Sequence, residues 1–182
     1  MKAGFWKTAL VMAVAVVLAT AAQAVCPPVA ALHVKAPFLL GVPVYYAMRR
    51  GAGPAMVSAV WCGVLDDGIG NLPYGVSFVA FPAIAALCLG VLRKQLSESI
   101  VSCMVAAAIG GALLQALQGA ALAFDGRYAA PPLLFMAGRV VLAAGVSGVA
   151  GGVVAALARH WDVSCGNAGI LNEGDTYSWR AT

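Results

Sequence analysis

Residues 99–124, with the sequence SIVSCMVAAAIGGALLQALQGAALAF, contain no Asp, Glu, Lys or Arg. A helix rises about 1.5 Å per residue, so this stretch is long enough to cross the roughly 30 Å hydrocarbon core of a bilayer. The run is continuous and rich in alanine, whereas a strand of a membrane barrel would alternate lipid-facing and lumen-facing positions. It therefore predicts a membrane-spanning α-helix.

Working outward from this stretch, similar apolar runs separated by short polar segments predict an all-α integral membrane protein. Of the 182 residues, 62% are hydrophobic and 10% are charged, against roughly 25% charged in soluble domains. This composition excludes a soluble enzyme. The predicted fold is a six-helix transmembrane bundle (residues 1–160) with short second and third helices, followed by a polar cytoplasmic tail at 161–182. The predicted spans are 8–24, 37–48, 55–66, 76–92, 99–124 and 133–158.

The first predicted helix has an alternative interpretation. It follows two lysines and ends in Ala22-Gln23-Ala24, which also fits a secretory signal with an A-x-A cleavage site. We favour a retained helix because more membrane protein follows it. Cleavage would leave five spans and a start outside the cytoplasm.

The positions of the basic residues predict the orientation. Cytoplasmic ends of spans are enriched in Lys and Arg, and with six spans and the amino terminus inside, the cytoplasmic side holds eight basic residues: Lys2, Lys7, Arg49, Arg50, Arg93, Lys94, Arg159 and Arg180. The outer loops hold only Lys35 and Arg127. The expected location is the cytoplasmic (inner) membrane, multi-pass, with both termini cytoplasmic. Basic residues so scattered do not form a nucleic-acid-binding patch.

No residue pattern predicts catalysis, a cofactor or a metal. The cysteines form no CxxC pair, and His33 and His160 lack the spacing of metal ligands. A membrane-embedded enzyme is a less favoured alternative, because it would need Asp66, Asp67 and Arg139 to converge. We expect a protein that is not an enzyme.

Arg139 lies within the sixth predicted span. An unpaired charge at the centre of a bilayer costs about 2.5–3.5 kcal/mol on insertion scales, so we hypothesise an ion pair between Asp67 and Arg139. The alternative is that Arg139 extends to the outer interface while the acids are solvated.

Small residues on the sixth helix predict close helix packing. They are Gly138, Gly145, Gly148 and Gly152. Packing within the chain is favoured over packing against a partner.

The segment 63–75, GVLDDGIGNLPYG, resembles the G-L-L-x-D-x-x-x-x-x-P-L-G signature of the rod-shape-determining protein MreD family. Asp67 matches the signature acid, Asp66 is an additional acid, and Tyr74 replaces an aliphatic residue. The resemblance implies a non-enzymatic scaffold subunit of the cell-shape and peptidoglycan-elongation machinery, partnered by an MreC-like periplasmic protein within the lipid bilayer. The expected partner-binding residues are Asp66, Asp67, Pro73, Tyr74 and Gly75.

The architecture is also similar to substrate-binding subunits of energy-coupling-factor vitamin transporters. Those proteins dock a coupling subunit through small residues on the first helix, a role open here to Ala9, Ala13, Ala15 and Ala19. This alternative implies an outward-facing pocket for a small vitamin or metal, using Trp61, Tyr74 and Gln118.

Overall fold

The computed structural model describes residues 2–28, 34–70, 75–96, 99–124 and 133–166. The regular elements in these ranges are all helical, which confirms the all-α part of the predicted fold class. They are α1 (Lys2–Val25), α2 (Phe38–Arg49), α3 (Ala52–Ile69), α4 (Val76–Gln95, with a π-helical segment at Cys88–Leu92), α5 (Ile100–Phe124) and α6 (Leu133–Ser164).

Four of these helices, α1, α4, α5 and α6, are long and apolar enough to cross a membrane. The protein is therefore a helical membrane protein. The helices α2 and α3 do not meet the combined length and hydropathy requirements. Helix α2, with 12 residues, is short as predicted, whereas α3, with 18 residues, is longer than the predicted short third helix.

Helix α2 lies at the centre of the bundle. Every residue from Leu39 to Met48 is buried, and the helix packs against each of the other five. Its 12 residues span only about 18 Å. Because protein encloses the helix on all sides, its ends need not reach the two membrane surfaces.

Successive helices run in opposite directions, which gives the bundle two distinct ends. At one end, the Arg50 Nη1 lies 3.4 Å from the Thr8 Oγ1, and the Lys7 Nζ lies 3.5 Å from the carbonyl oxygen of Cys165. We call this the basic end, because Arg49 and the lysine and arginine residues that close α4 lie there too. The opposite end, where α3 is followed by α4, is called the loop end.

Glycines allow α5 and α6 to approach closely. A Cβ added at Gly148 would lie 3.3 Å from the Ala108 Cβ, and one at Gly152 would lie 2.7 Å from the Met104 Cγ. The predicted packing of these two glycines is thus made within the chain. At Gly145 a Cβ would meet nothing within 4 Å, so this glycine lies outside the contact.

Gly138 is half-buried on the same helix. The sequence prediction did not include Gly151, whose Cβ would overlap Ala107.

Four helices are longer than their predicted spans, namely α1, α3, α4 and α6. Helix α3 extends from Ala52 to Ile69, so both of its aspartates are helical. Helix α6 continues to Ser164, six residues beyond the predicted end, because Asp162 is buried against other helices there. The predicted polar tail therefore begins as helix, and residues 167–182 lie outside the described residues.

Candidate functional site

A buried hydrogen-bond network joins four helices at the loop end. The Gln23 side-chain amide donates to the Asp66 Oδ1, and the Ser77 hydroxyl donates to the Asp66 Oδ2. The Leu39 backbone N–H in turn donates to the Gln23 Oε1 over 3.1 Å. Both oxygens of Asp66 are therefore engaged by neutral donors, and the carboxylate ties α1, α3 and α4 together.

Gln23 stands out in the sequence only as the middle residue of the possible cleavage motif. The structure shows it 5% exposed and hydrogen-bonded across the bundle. The sequence does contain a signal for this hydrogen bond. A glutamine lies near the end of the apolar first helix, and two adjacent aspartates, Asp66 and Asp67, follow near the end of the third helix.

Asp67 caps the amino terminus of α4. Its Oδ2 accepts hydrogen bonds from the backbone N–H groups of Gly75 and Phe78, and its Oδ1 accepts one from Ser77, each at 3.0 Å. The first turn of a helix has N–H groups without intrahelical acceptors and a partial positive charge, so a carboxylate is favoured there. Asp67 thus locks the α3–α4 hairpin.

Two glycines complete this hairpin. Gly75 has φ +100°, in the left-handed region that glycine adopts without steric penalty. A Cβ at Gly63 would lie 2.8 Å from the backbone oxygen of Ser77, so glycine is required where α3 crosses the start of α4. Gly63, Asp67 and Gly75, three positions of the MreD-like signature, therefore serve one structural unit.

The hypothesised ion pair between Asp67 and Arg139 is not present among the described residues. Asp67 is occupied by the backbone of α4 instead, and the Nε of Arg139 is buried without a hydrogen-bond partner. Pro73 and Tyr74, two of the expected partner-binding residues, lie outside the described residues.

A cavity of about 280 Å³, lined by both polar and apolar residues, opens at the loop end. Its walls come from α5, α6, the network around Asp66, and the segments that lead into α2 and out of α3. The polar side chains that line it are Gln23, Lys35, Asp66, Gln115, Gln118, Arg139 and Ser147. Known small-molecule sites occupy about 300–1,000 Å³, so this cavity suits a small ligand or a headgroup.

Helical spacing places the cavity-lining residues on single faces. Helix α6 contributes Arg139, Ala143 and Ser147, each four residues apart, which stacks them on one side of the helix. Helix α5 contributes Gln115 and Gln118, among others, from neighbouring turns. The structure thus places both glutamines on the cavity wall.

Two polar atoms on this wall lack partners. The Nε of Arg139 and the Oγ of Ser147 are buried and accept or donate no hydrogen bond among the described residues. Buried polar atoms are nearly always hydrogen-bonded, and an unsatisfied one costs about 1–3 kcal/mol. Both residues also line the cavity, so these unsatisfied atoms lie next to the space that a ligand would occupy.

Lysine and arginine outnumber acids in the cavity lining. Lys35 is exposed on the lining, Arg139 is half-buried, and Asp66 is the acid. The lining therefore carries one positive charge in excess of Asp66, whose oxygens accept hydrogen bonds from Gln23 and Ser77. It can hold an anionic group.

At the basic end, a different polar cluster closes the bundle. The Tyr45 hydroxyl donates to the Asp162 Oδ2 over 2.7 Å, and the Arg50 Nη2 lies 2.8 Å from the Asp162 Oδ1. The side chains of Arg50 and Asp162 are 7% and 2% exposed. Sequence reasoning missed this buried ion pair because it assigned Asp162 to the tail.

The other residues suggested for a transporter-like role do not lie together in one site. Gln118 lines the cavity, but Trp61 is 62% exposed on the outside of the bundle, and Tyr74 is not described. On α1, Ala15 and Ala19 are buried inside the bundle, which leaves Ala13 exposed and Ala9 half-buried. The four alanines therefore do not form one docking face.

Comparison with known proteins gave no match to a family model, to a curated protein or to a solved structure.

Proposed function

We propose that the protein is a non-enzymatic scaffold subunit of the cell-shape and peptidoglycan-elongation machinery, similar to MreD. The observation that supports this proposal is the α3–α4 hairpin. The signature positions Gly63, Asp67 and Gly75 act together there, by close helix approach, helix capping and a left-handed turn. These three positions are separated in the sequence but contribute to the same hairpin, which chance explains less easily than three unrelated residues.

The proposed topology has six crossings in the cytoplasmic membrane, with the basic end and both termini in the cytoplasm. The described residues at the basic end include Lys7, Arg49, Arg50, Arg93 and Lys94, and this bias favours the cytoplasmic side. The hairpin turn then faces the periplasm, where an MreC-like protein can bind it.

The contacts of the two acids refine the proposed partner surface. Asp66 and Asp67 are 9% and 6% exposed, and their oxygens are engaged within the chain. They position the turn, and the partner contacts the turn itself at residues 70–75. Recognition then depends on the conformation of this loop more than on its charge.

A matched pair of glycine variants tests this role. Gly75→Ala and Gly53→Ala each add a methyl group into open space, but only Gly75 has a positive φ. We expect Gly75→Ala to reduce recovery of an MreC-like protein when the tagged chain is captured from a mild detergent extract. Gly53→Ala should leave recovery at the wild-type level. Equal recovery with both variants, at equal expression, would contradict the proposed contact surface.

The cavity favours a second candidate function, a substrate-binding subunit of an energy-coupling-factor type transporter. Gln118 lies on the cavity wall, as that alternative expects. The burial of Ala15 and Ala19 counts against docking of a coupling subunit through these residues. The same capture experiment separates the two functions, since an ATPase and its membrane coupling protein in the eluate would support transport, and wall-synthesis proteins would support the scaffold.

A further inference from the structure

The cavity at the loop end has features that a scaffold does not require. It is lined by seven polar side chains from several helices, and it lies in the half of the bundle that contains the α3–α4 turn. A cavity that only separated helices in a membrane would be expected to have apolar walls, because polar groups in hydrocarbon are costly.

Arg139, on the wall of the cavity, has no ion-pair partner among the described residues. It lies near the beginning of α6, a helix apolar enough to span a membrane, and its Nε is buried without a partner. The sequence analysis considered Asp66 and Asp67 as acids that could meet Arg139. Asp66 accepts hydrogen bonds from Gln23 and Ser77, and Asp67 accepts hydrogen bonds from the first turn of α4. The cost of placing this arginine in the bundle is therefore not offset by an ion pair among the described residues.

The side chains around Arg139 define the chemistry of a ligand. A guanidinium group presents a planar set of donors that matches a carboxylate or phosphate. Ser147 adds a buried hydroxyl two turns further along the same face. Gln115 and Gln118 can each donate and accept hydrogen bonds, which suits hydroxyl groups next to the anionic group.

We infer that this cavity binds a small polyol-like ligand through an anionic oxygen group, phosphate or carboxylate, which Arg139 holds. Such a group belongs either to a soluble solute or to the headgroup of a lipid. Lys35, exposed on the cavity lining, adds attraction for the anion as it enters. The inference does not depend on the scaffold assignment.

Thermal unfolding of the purified full chain in a neutral detergent tests the inference. The four tryptophans provide the fluorescence signal. The probes are glycerol 3-phosphate, glycerate and dihexanoyl phosphatidylglycerol, with glycerol as the neutral control. A ligand that binds only the folded protein raises Tm, by about 3 °C at ten times Kd.

We expect at least one anionic probe to raise Tm while glycerol does not. A response to the soluble probes would identify a solute site, and a response to the lipid alone would identify a headgroup site. Absence of a shift with all three anionic probes at millimolar concentration would overturn the inference.

Arginine variants on α6 show whether binding occurs in the cavity. Arg139→Gln should abolish the shift, whereas Arg159→Gln, the same change at an exposed position on the same helix, should preserve it. Arg139→Lys keeps the charge but loses the planar donor set, and we expect about tenfold weaker binding. Full affinity in Arg139→Lys together with Arg139→Gln would place the bound probe elsewhere and contradict the inference.

Discussion

The two ends of the bundle contain the same kinds of buried charge but use them differently. At the basic end, Arg50 and Asp162 pair directly over 2.8 Å. At the loop end, Asp66 and Asp67 are satisfied by neutral donors, and Arg139 has a buried Nε without a partner. The difference between the two arginines is therefore the counter-charge, since the Nε of Arg50 also lacks a hydrogen-bond partner. Arg50 pairs with Asp162, whereas Arg139 has no ion-pair partner among the described residues, and it is the arginine to which we assign ligand binding.

Loss of the ion pair between Arg50 and Asp162 at the basic end should reduce the free energy of unfolding most. Asp162→Asn leaves Arg50 buried without its counter-charge, and removal of one partner of a buried pair costs about 3–5 kcal/mol. The free energy of unfolding, measured by SDS titration in mixed micelles, should fall by this amount. The double variant Arg50→Met with Asp162→Asn should recover part of the loss. If Asp162→Asn were as stable as the wild type, the proposed contrast between the two ends would fail.

The network at the loop end should contribute less. Gln23→Leu removes a donor from Asp66 and an acceptor from the Leu39 N–H, and each unsatisfied buried group costs about 1–3 kcal/mol. The matched control is Gln118→Leu, because Gln118 lines the cavity. The same SDS titration should show a smaller loss for the control, and an equal loss would argue against a specific role for Gln23.

The cap on α4 should have a smaller effect again. Replacing an N-terminal capping residue with alanine costs about 0.5–2 kcal/mol, so Asp67→Ala should reduce the free energy of unfolding within this range. Asp67→Asn retains one acceptor oxygen and should lose less. Equal losses for the two variants would indicate that the hydrogen bonds to the α4 backbone are not what stabilises the hairpin.

The smallest effect on the free energy of unfolding is expected for replacement of Arg139. Arg139→Gln removes a buried charge that has no described partner, so stability should change by less than about 1 kcal/mol or increase. Arg50→Gln, the same substitution at the basic end, should be strongly destabilising. A large loss in Arg139→Gln without ligand would show that Arg139 supports the fold, and it would weaken the case for a binding role.

The long helices were predictable from the sequence because lipid requires long apolar runs. The central position of α2 was not predicted, although its sequence, FLLGVPVYYAMR, is apolar on all sides, which is typical of an enclosed helix. The sequence predicted a third span that ends at residue 66, whereas α3 continues to Ile69 and includes Asp67. The sequence could not tell which atoms the carboxylate would bind, because those atoms depend on how closely α3 approaches α4.

Asp162 and Arg139 both show that the sequence did not predict how buried polar residues pair. Polar sequence around Asp162 suggested a solvated tail, but the partner that buries it, Tyr45, is 117 positions away. Apolar sequence around Arg139 suggested that it needed an acid, and the nearby acids had other partners. Patterns along the chain indicate which segments enter the membrane, whereas polar pairing is decided between distant segments.

The enclosure of α2 has a consequence for how the chain is made. A ribosome completes α2 early, but α6, which supplies the partner of Tyr45 and Arg50, is synthesised after the other five described helices. Until then, the end of α2 lies in the membrane or at the insertion machinery, and the counter-charge of Arg50, Asp162, has not yet been synthesised. The buried ion pair therefore forms only after Asp162 has been synthesised, and nascent chains that stop before Asp162 should be preferred substrates for membrane proteases.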